Sequence, residues 1–347
     1  MKRHAGNPLI TPAMVQPSAP GLRVRGVFNP AAVRFGDEIL LLLRIAEDCE
    51  ANDGEVAVPV VRFEGSLGRT DVLRLSRHDP EVDLRDGRFV VYRGQTYLST
   101  LSHLRLARSQ DGLHFAIDER PFLFPADATE SFSIEDARVA RIEDTCYINY
   151  TCVSPDSWAT TLVSTRDFRS VARHGIIFPP QNKDVCLFPE KIGDRYCALH
   201  RPHNSGFGRP SIWYAESPDL IHWGKHRCLI RPRDNAWENE RIGGGAPCLK
   251  TPAGWLQIYH AASRDGTYRL FTLMLDLATP GRVLKRASRP LLEPETDYET
   301  KGFFNRVVFC NGVVPFDDGR VWIYYGAADE TTCLAETTID ELLASLD

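Results

Sequence analysis

At 347 residues the chain is long enough for two domains or for one large β architecture. Its 43% hydrophobic and 25% charged residues exclude disorder as the main state. With 41 Lys and Arg against 46 Asp and Glu, a formal charge of −5, there is no global basic field to draw nucleic acid or an anionic membrane, so any anion site has to be local.

Met1 to Pro20 carries Lys2 and Arg3 but no apolar leader core, and no later run approaches the roughly 18 apolar residues of a membrane span. The expectation is a cytoplasmic protein without nucleic-acid or membrane partners. Nine cysteines form no CxxC pair and no His/Cys metal spacing, and most sit in apolar strand-like runs, as Cys146 does in TCYINY. They are expected as free thiols in the core, with no metal site.

In chain order, five segments share one form. NPAAVRFGDEILLLLRIAE from Asn29 opens the series and is followed by residues 48–88, an expected insertion. EDARVARIEDTCYINYTCVS from Glu135, LFPEKIGDRYCALHRP from Leu187, GAPCLKTPAGWLQIYHAAS from Gly245 and NRVVFCNGVVPFDDGRVWIYYGAAD from Asn305 repeat it. Each has a polar or glycine-bearing entry, a strand, a turn such as Gly36-Asp37 or Asp318-Gly319, and a second strand with a polar exit, which is hairpin patterning. Between them lie units starting at Leu104, Thr160 and Ile212, each a strand, an Asp-containing turn and a further strand; a looser one starts at Tyr268. Helical periodicity appears only at Ile339 to Leu346. The pattern predicts an all-β, five-bladed β-propeller with a short C-terminal helix, occupying 1–347 as a single domain. A two-sheet sandwich is the alternative, but it does not explain why the polar residues recur at entry and exit, positions that converge in a propeller.

Those positions offer carboxylates and cations. Entries supply Asn29, Glu135 with Asp136, Glu190 with Lys191, and Asn305 with Arg306. Exits supply Arg44 with Glu47, His200 with Arg201, His260 and Asp329; Arg209 follows nearby, and Arg241 precedes Gly243-Gly244-Gly245. Carboxylic acids beside guanidinium forks suit sugar and anion chemistry. Strand alternation lets only one of Glu135 and Asp136 face the site. Trp213, Trp223, Trp255 and Trp322 are expected in strand packing, whereas Trp237 lies in the polar stretch DNAWENER.

GVFNPAAVRFGDEILLLLRIAE, SIEDARVARIEDTCYINYT, CLFPEKIGDRYCALHRP, RIGGGAPCLKTPAGWLQIYH and VVFCNGVVPFDDGRVWIYYGAAD together resemble glycoside hydrolase family 130, the β-mannoside phosphorylases and β-mannosidases. The resemblance runs from about Gly26 to the C-terminus and implies a five-bladed propeller. It implies that Asp136 is the catalytic acid, in an EDAR motif where Ala137 replaces the usual proline. Arg201, Arg209, Arg241 and His260 match the phosphate cluster, with Arg241 standing where many members have Lys. Asn29, Arg44 and Asp329 match sugar-region residues, and Glu135 and Asn305 join the expected substrate-binding set.

The implied activity is inverting phosphorolysis of terminal β-mannosides to α-mannose 1-phosphate, with inorganic phosphate as co-substrate, no cofactor, and a β-manno-oligosaccharide or mannosyl-glycan as partner. A hydrolase would instead need a carboxylate base, for which Glu238 or Glu240 is the candidate. A mannoside-binding propeller without turnover is a third reading. Homo-oligomerisation, linkage and acceptor are not legible.

Overall fold

Runs rich in Val, Ile, Leu and aromatic residues, punctuated by Gly and Asp turns, form antiparallel meanders in the computed structural model, which describes residues 1–65, 67–84, 87–203 and 206–347. The protein is all-β, with the short helix Ile339–Ala344 at its C-terminus, a single α-helical turn at Asp297–Thr300, and 3-10 turns at Pro12–Met14 and Ala128–Glu130 among the described residues.

The first meander runs Leu22–Phe35, Glu38–Cys49, Leu101–Ser109 and Ala116–Ile117. The second is Ser133–Ile142, Thr145–Ser154, Ser157–Thr165 and Ala172–Phe178; the third is Asn182–Leu187, Tyr196–Pro202, Ile212–Ser217 and Gly224–Ile230. In the fourth, Arg241–Gly244 and then Leu249–Thr251 pair with Gly254–Ala262, followed by Tyr268–Leu275 and Val283–Arg286. The last joins Val308–Pro315, Arg320–Ala327 and Thr331–Thr338, and the N-terminal strand Lys2–Arg3 supplies its fourth member. Its innermost strand touches that of the first meander through a parallel pair, Ala31 with Asn311. More than two sheets are present, so a two-sheet sandwich does not describe the chain. No helix among the described residues is long and apolar enough to cross a membrane.

Two boundaries differ from expectation. The third hairpin enters through Asn182–Leu187, so Glu190 and Lys191 stand at its far turn and Asp184 takes the entry position. The stretch LFPEKIG misled because Pro189 ends the strand that it seemed to begin. The segment expected as an insertion at 48–88 continues to Leu98: Glu55–Glu64 pairs with Leu67–Ser76, and Val82–Asp83, Phe89–Tyr92 and Gln95–Leu98 form a second small sheet. Residues 66, 85 and 86 of that segment, and 204 and 205 of the loop after the third hairpin, lie outside the described residues. Val56, Val58, Val60, Leu75 and Val90 pack the added sheets onto Phe132 of the second meander.

The inner strands share a device. Asn29, Asp136 and Asp184 have φ of 48°, 52° and 55°, left-handed values that short polar side chains tolerate better than most. Each sits in a register shift, between Phe28 and Ala31, Glu135 and Arg138, and Lys183 and Cys186. A β-bulge re-aims neighbouring side chains, and here it directs polar groups from several sheets toward one place.

The N-terminal strand is held by a buried carboxylate. Glu299 accepts from Arg3 Nε at 2.8 Å and Nη2 at 3.0 Å, from Tyr325 Oη at 2.8 Å, and from the Glu295 amide at 2.8 Å. Burial opposes its charge, but Arg3 and the backbone donors hold it below the usual carboxylate range. Arg3→Ala is therefore expected to destabilise the fold by about 2–4 kcal/mol, since it leaves a buried charge without its partner. Chemical denaturation of the purified variant checks this.

Candidate active site

The bulges and strand exits converge on a cavity of about 690 Å³. Of the residues expected from sequence, Asn29, Arg44, Glu135, Asp136, Arg201, Arg241, His260 and Asp329 line it. Lys183, Asp184, His203, Trp158, Tyr268 and Phe309 join them without having been foreseen.

One side is acidic. Asp136 Oδ1 accepts from Asn29 Nδ2 at 2.9 Å and from Arg44 Nη1 at 3.1 Å, while Arg44 Nη2 donates to Glu135 Oε1 at 2.9 Å. Arg44 is fixed from behind by Ser102 Oγ and by the Phe28 ring, 4.8 Å from the guanidinium carbon. Glu135 and Asp136 both reach the cavity, contrary to simple alternation, because the bulge at Asp136 interrupts the pleat between them. Ala137, buried beside them, leaves the left-handed turn intact without the proline of the motif.

Their electrostatics separate the carboxyls. Burial pushes Asp136 up, but the charges of Arg44, Lys183 and Arg138 and the Asn29 hydrogen bond outweigh it, so it lies below the usual Asp range. Asp329 is pushed up to about 7, chiefly by burial and then by Asp136 and Glu135, against the opposing pull of Arg44 and Arg88. One carboxyl is thus ionised and another half-protonated near neutrality, a division that suits acid–base work.

The other side is cationic. Lys183, Arg201 and Arg241 border it, and Lys183 Nζ lies 3.9 Å from Glu135 Oε2, where the two sides meet. Beneath them Asp184 accepts from Arg201 Nε at 2.5 Å and Arg138 Nη2 at 3.2 Å, with His260 Nε2 at 3.2 Å. Burial pushes the His260 imidazole below its usual value, so it is neutral near pH 7 and not one of the cations expected. His200, named with Arg201 at a strand exit, stands outside the lining against Asn182 and His226 and is pushed down to about 3, by burial first.

Four further expectations are corrected. Arg209 is spent on Asp234 Oδ1 at 2.8 Å and the Asn239 carbonyl at 2.9 Å, away from the cavity lining. Asn305 is exposed and accepts from the Gly302 amide, because the last inner strand begins only at Val308. Glu238 is fully buried among Arg286, Arg233 and the Tyr259 hydroxyl, and Glu240 is a half-exposed residue 3.9 Å from Arg241; neither lines the cavity. Trp237 packs against the core of the third and fourth meanders.

Asp184 was hidden by the misplaced hairpin. Its signal was present in NKDVCL: an acidic residue followed by an apolar run, as in EDARV, at the strand entry.

Compared with known proteins, residues 78–347 match the family model of glycoside hydrolase family 130, described as β-1,4-mannooligosaccharide phosphorylase. The β-1,2-mannobiose phosphorylase of Listeria innocua is 42% identical over 350 residues, 99% of this chain and 98% of its own. A 1,2-β-oligomannan phosphorylase of Thermoanaerobacter sp. is 37% identical over 67% of this chain and 77% of its own. The Listeria innocua enzyme solved with β-1,2-mannobiose superposes with a TM-score of 0.95 over 99% of this chain and 98% of that one, at 41% identity.

The raised Asp329 value has a stability consequence. An acid whose folded value exceeds its unfolded value near 3.9 leaves the folded state unpenalised below about pH 4 and penalises it progressively between there and about 7, above which the penalty is constant. Asp329→Asn is expected to melt roughly 2–5 °C above the wild-type protein at pH 8, with the gap closing toward pH 5. Calorimetry of the ligand-free proteins across that range checks the sign.

Proposed function

The chain belongs to glycoside hydrolase family 130, and from that premise and the geometry of the cavity we propose that it catalyses inverting phosphorolysis of terminal β-mannosides. The observation that carries this reading is the division of one cavity into a carboxylate side and a side bordered by Lys183, Arg201 and Arg241. A neutral water gains nothing from converging cations, whereas a phosphate carrying between one and two negative charges needs them to leave bulk solvent. In this reading no cofactor takes part, and phosphate is the co-substrate.

The arrangement of the sheets is read as five blades around the site. Contacts between neighbouring meanders support this reading: Asn29 to Asp136, Arg138 to Asp184, Cys186 Sγ to the Ala246 carbonyl, and Asn311 Nδ2 to the Asn29 carbonyl. Gly245 approaches the Cys310 carbonyl so closely that a Cβ there would lie 2.8 Å from it, which accounts for the fourth-to-fifth contact.

The mannosyl unit occupies the acidic side, with Asn29, Arg44, Glu135 and Asp329 around it. Asp136 supplies the proton that reaches the leaving oxygen, by way of a sugar hydroxyl as the family resemblance implies. An oxygen of hydrogenphosphate, held by Arg201, Arg241 and His260, attacks the anomeric carbon from the opposite face. The C–O bond to the acceptor breaks, the C–O bond to phosphate forms, and the acceptor leaves as an alcohol. The proton of hydrogenphosphate restores the one that Asp136 gave up, so the reaction balances without further reagents. Arg44 and Lys183 help hold Asp136 ionised. A bound phosphate offsets part of that positive field, so that Asp136 becomes easier to protonate when both substrates are present.

The linkage is read as β-1,2 with mannobiose as the acceptor-bearing substrate, because the relative with that activity matches nearly the full length of both chains. Hydrolysis is the weaker reading, since Glu238 is consumed by Arg233 and Arg286 and Glu240 does not line the cavity.

Turnover of β-1,2- and β-1,4-mannobiose in phosphate and in phosphate-free buffer tests these statements together. The expected result is phosphate-dependent release of mannose and mannose 1-phosphate from the β-1,2 dimer. Equal release of free mannose without phosphate overturns the reading. Asp136→Asn is expected to lose roughly two to four decades of kcat while remaining folded.

A further inference from the structure

A carboxylate at the base of an anion site is a paradox, since its charge repels the ligand that the site collects. Asp184 is 1% exposed, and both its oxygens are engaged: Oδ1 by Arg138 at 3.2 Å, Oδ2 by Arg201 Nε at 2.5 Å and by His260 Nε2 at 3.2 Å. Two guanidinium groups on one carboxylate leave the group net positive, so the repulsion is more than cancelled. What remains is direction. Nε of Arg201 is committed to Asp184, and among the described residues its terminal nitrogens make no hydrogen bond to protein, which leaves the fork end for a ligand. The Nε2–H of His260 is likewise aimed at Asp184, so its Nδ1, buried and without a protein partner among the described residues, is the ring atom left over. The ring is braced by Phe309, with centroids 4.2 Å apart.

We propose that Asp184 is a positioning residue for the phosphate site, fixing the fork of Arg201 to donate to the anion and the tautomer of His260 so that its Nδ1 lone pair accepts from the P–OH of hydrogenphosphate. The proposal rests on the phosphorolytic reading above and assigns a role to a residue outside the expected set. Asp184 is not a general base: all its contacts are to charged or ring N–H donors, and these hold its carboxyl, despite burial, well below the usual range.

The backbone supports the same assignment. Asp184 keeps a left-handed φ of 55° at its bulge. Opposite it stands Gly243, where an added Cβ would lie 2.4 Å from Asp184 Oδ2 and 2.5 Å from His260 Nε2. Gly243 has no left-handed φ to require glycine. Its missing side chain is the space that the Asp184–His260 contact occupies.

Two variants perturb this hub by different routes. Asp184→Asn removes the charge, and Gly243→Ala inserts a methyl group between Asp184 and His260 while keeping every charged group. Both are expected to raise the phosphate KM roughly ten- to a hundredfold, the scale seen when the partner orienting a ligand-binding side chain is lost. kcat at saturating phosphate should fall by less, and the Kd for β-1,2-mannobiose, measured calorimetrically without phosphate, should stay within about twofold of the wild-type value. In 15N spectra His260 should show a protonated Nε2 in the wild-type protein and a mixture of tautomers in Asp184→Asn. Arg201→Ala serves as the reference for the site itself. If it raises the phosphate KM but folded Asp184→Asn or Gly243→Ala does not, the positioning role is wrong and the phosphate site stands. If Arg201→Ala leaves the phosphate KM unchanged, the phosphate site is wrong and the positioning role falls with it. Should Asp184→Asn fail to fold, Gly243→Ala decides alone.

Discussion

The guanidinium of Arg138, 1% exposed, is the contact on which the rest of the site depends. It donates to the Asp136 carbonyl at 2.8 Å, to Asp184 Oδ1 at 3.2 Å and to the Gly244 carbonyl at 3.0 Å, so one side chain joins the inner strands of three meanders. A charged group this deep is tolerable only when every donor is directed at an acceptor. Asp184 supplies the countercharge, and the strand ends supply carbonyls freed where the ladders are interrupted at the bulge and after Gly244. The interruptions that weaken pairing are thus what create the acceptors, and Arg138 converts them into a connection between sheets. The same residue contributes to lowering both Asp136 and Asp184, linking scaffold and electrostatics.

From that connection follows a graded field across the cavity. Arg44 answers Glu135 and Asp136, Lys183 stands where the halves meet, and Arg201 and Arg241 border the far side. Asp329 receives least compensation and carries the highest value of the cavity carboxyls that shift. Asp136 is flanked by cations from both sides, so its protonation responds to any charge that enters this field. Binding and protonation are therefore coupled through ordinary Coulombic terms, with no moving part required.

Much of this was legible in the sequence because hairpins repeat and their polar residues recur. Asn29 of NPAAV and Asp136 of EDARV line one cavity, together with Arg44, Arg201, His260 and Asp329 from the strand exits and Arg241 from the approach to Gly243. Where the reading failed, the causes are local. Alternation does not survive a bulge, so Glu135 and Asp136 share the cavity where alternation allowed only one of them. Pro189 and the charged pair after it disguised the far end of a strand as its start, which concealed Lys183 and Asp184. Arg209, Glu238 and Asn305 had suitable chemistry, but their tertiary partners, Asp234, Arg286 and the Gly302 amide, are not visible in a linear pattern. The cysteines were simpler: free and mostly buried among apolar neighbours.

The central claim is that acid and anion stand on opposite faces of one sugar, so that phosphate replaces the acceptor in a single displacement. The anomeric configuration of the first-formed product, followed by proton and phosphorus NMR during turnover of β-1,2-mannobiose with phosphate, tests this most directly. The account predicts α-mannose 1-phosphate from the earliest time point. A β-configured phosphate, which requires two displacements and a covalent intermediate, would contradict it, as would free mannose as the only labelled product when the non-reducing unit carries the label.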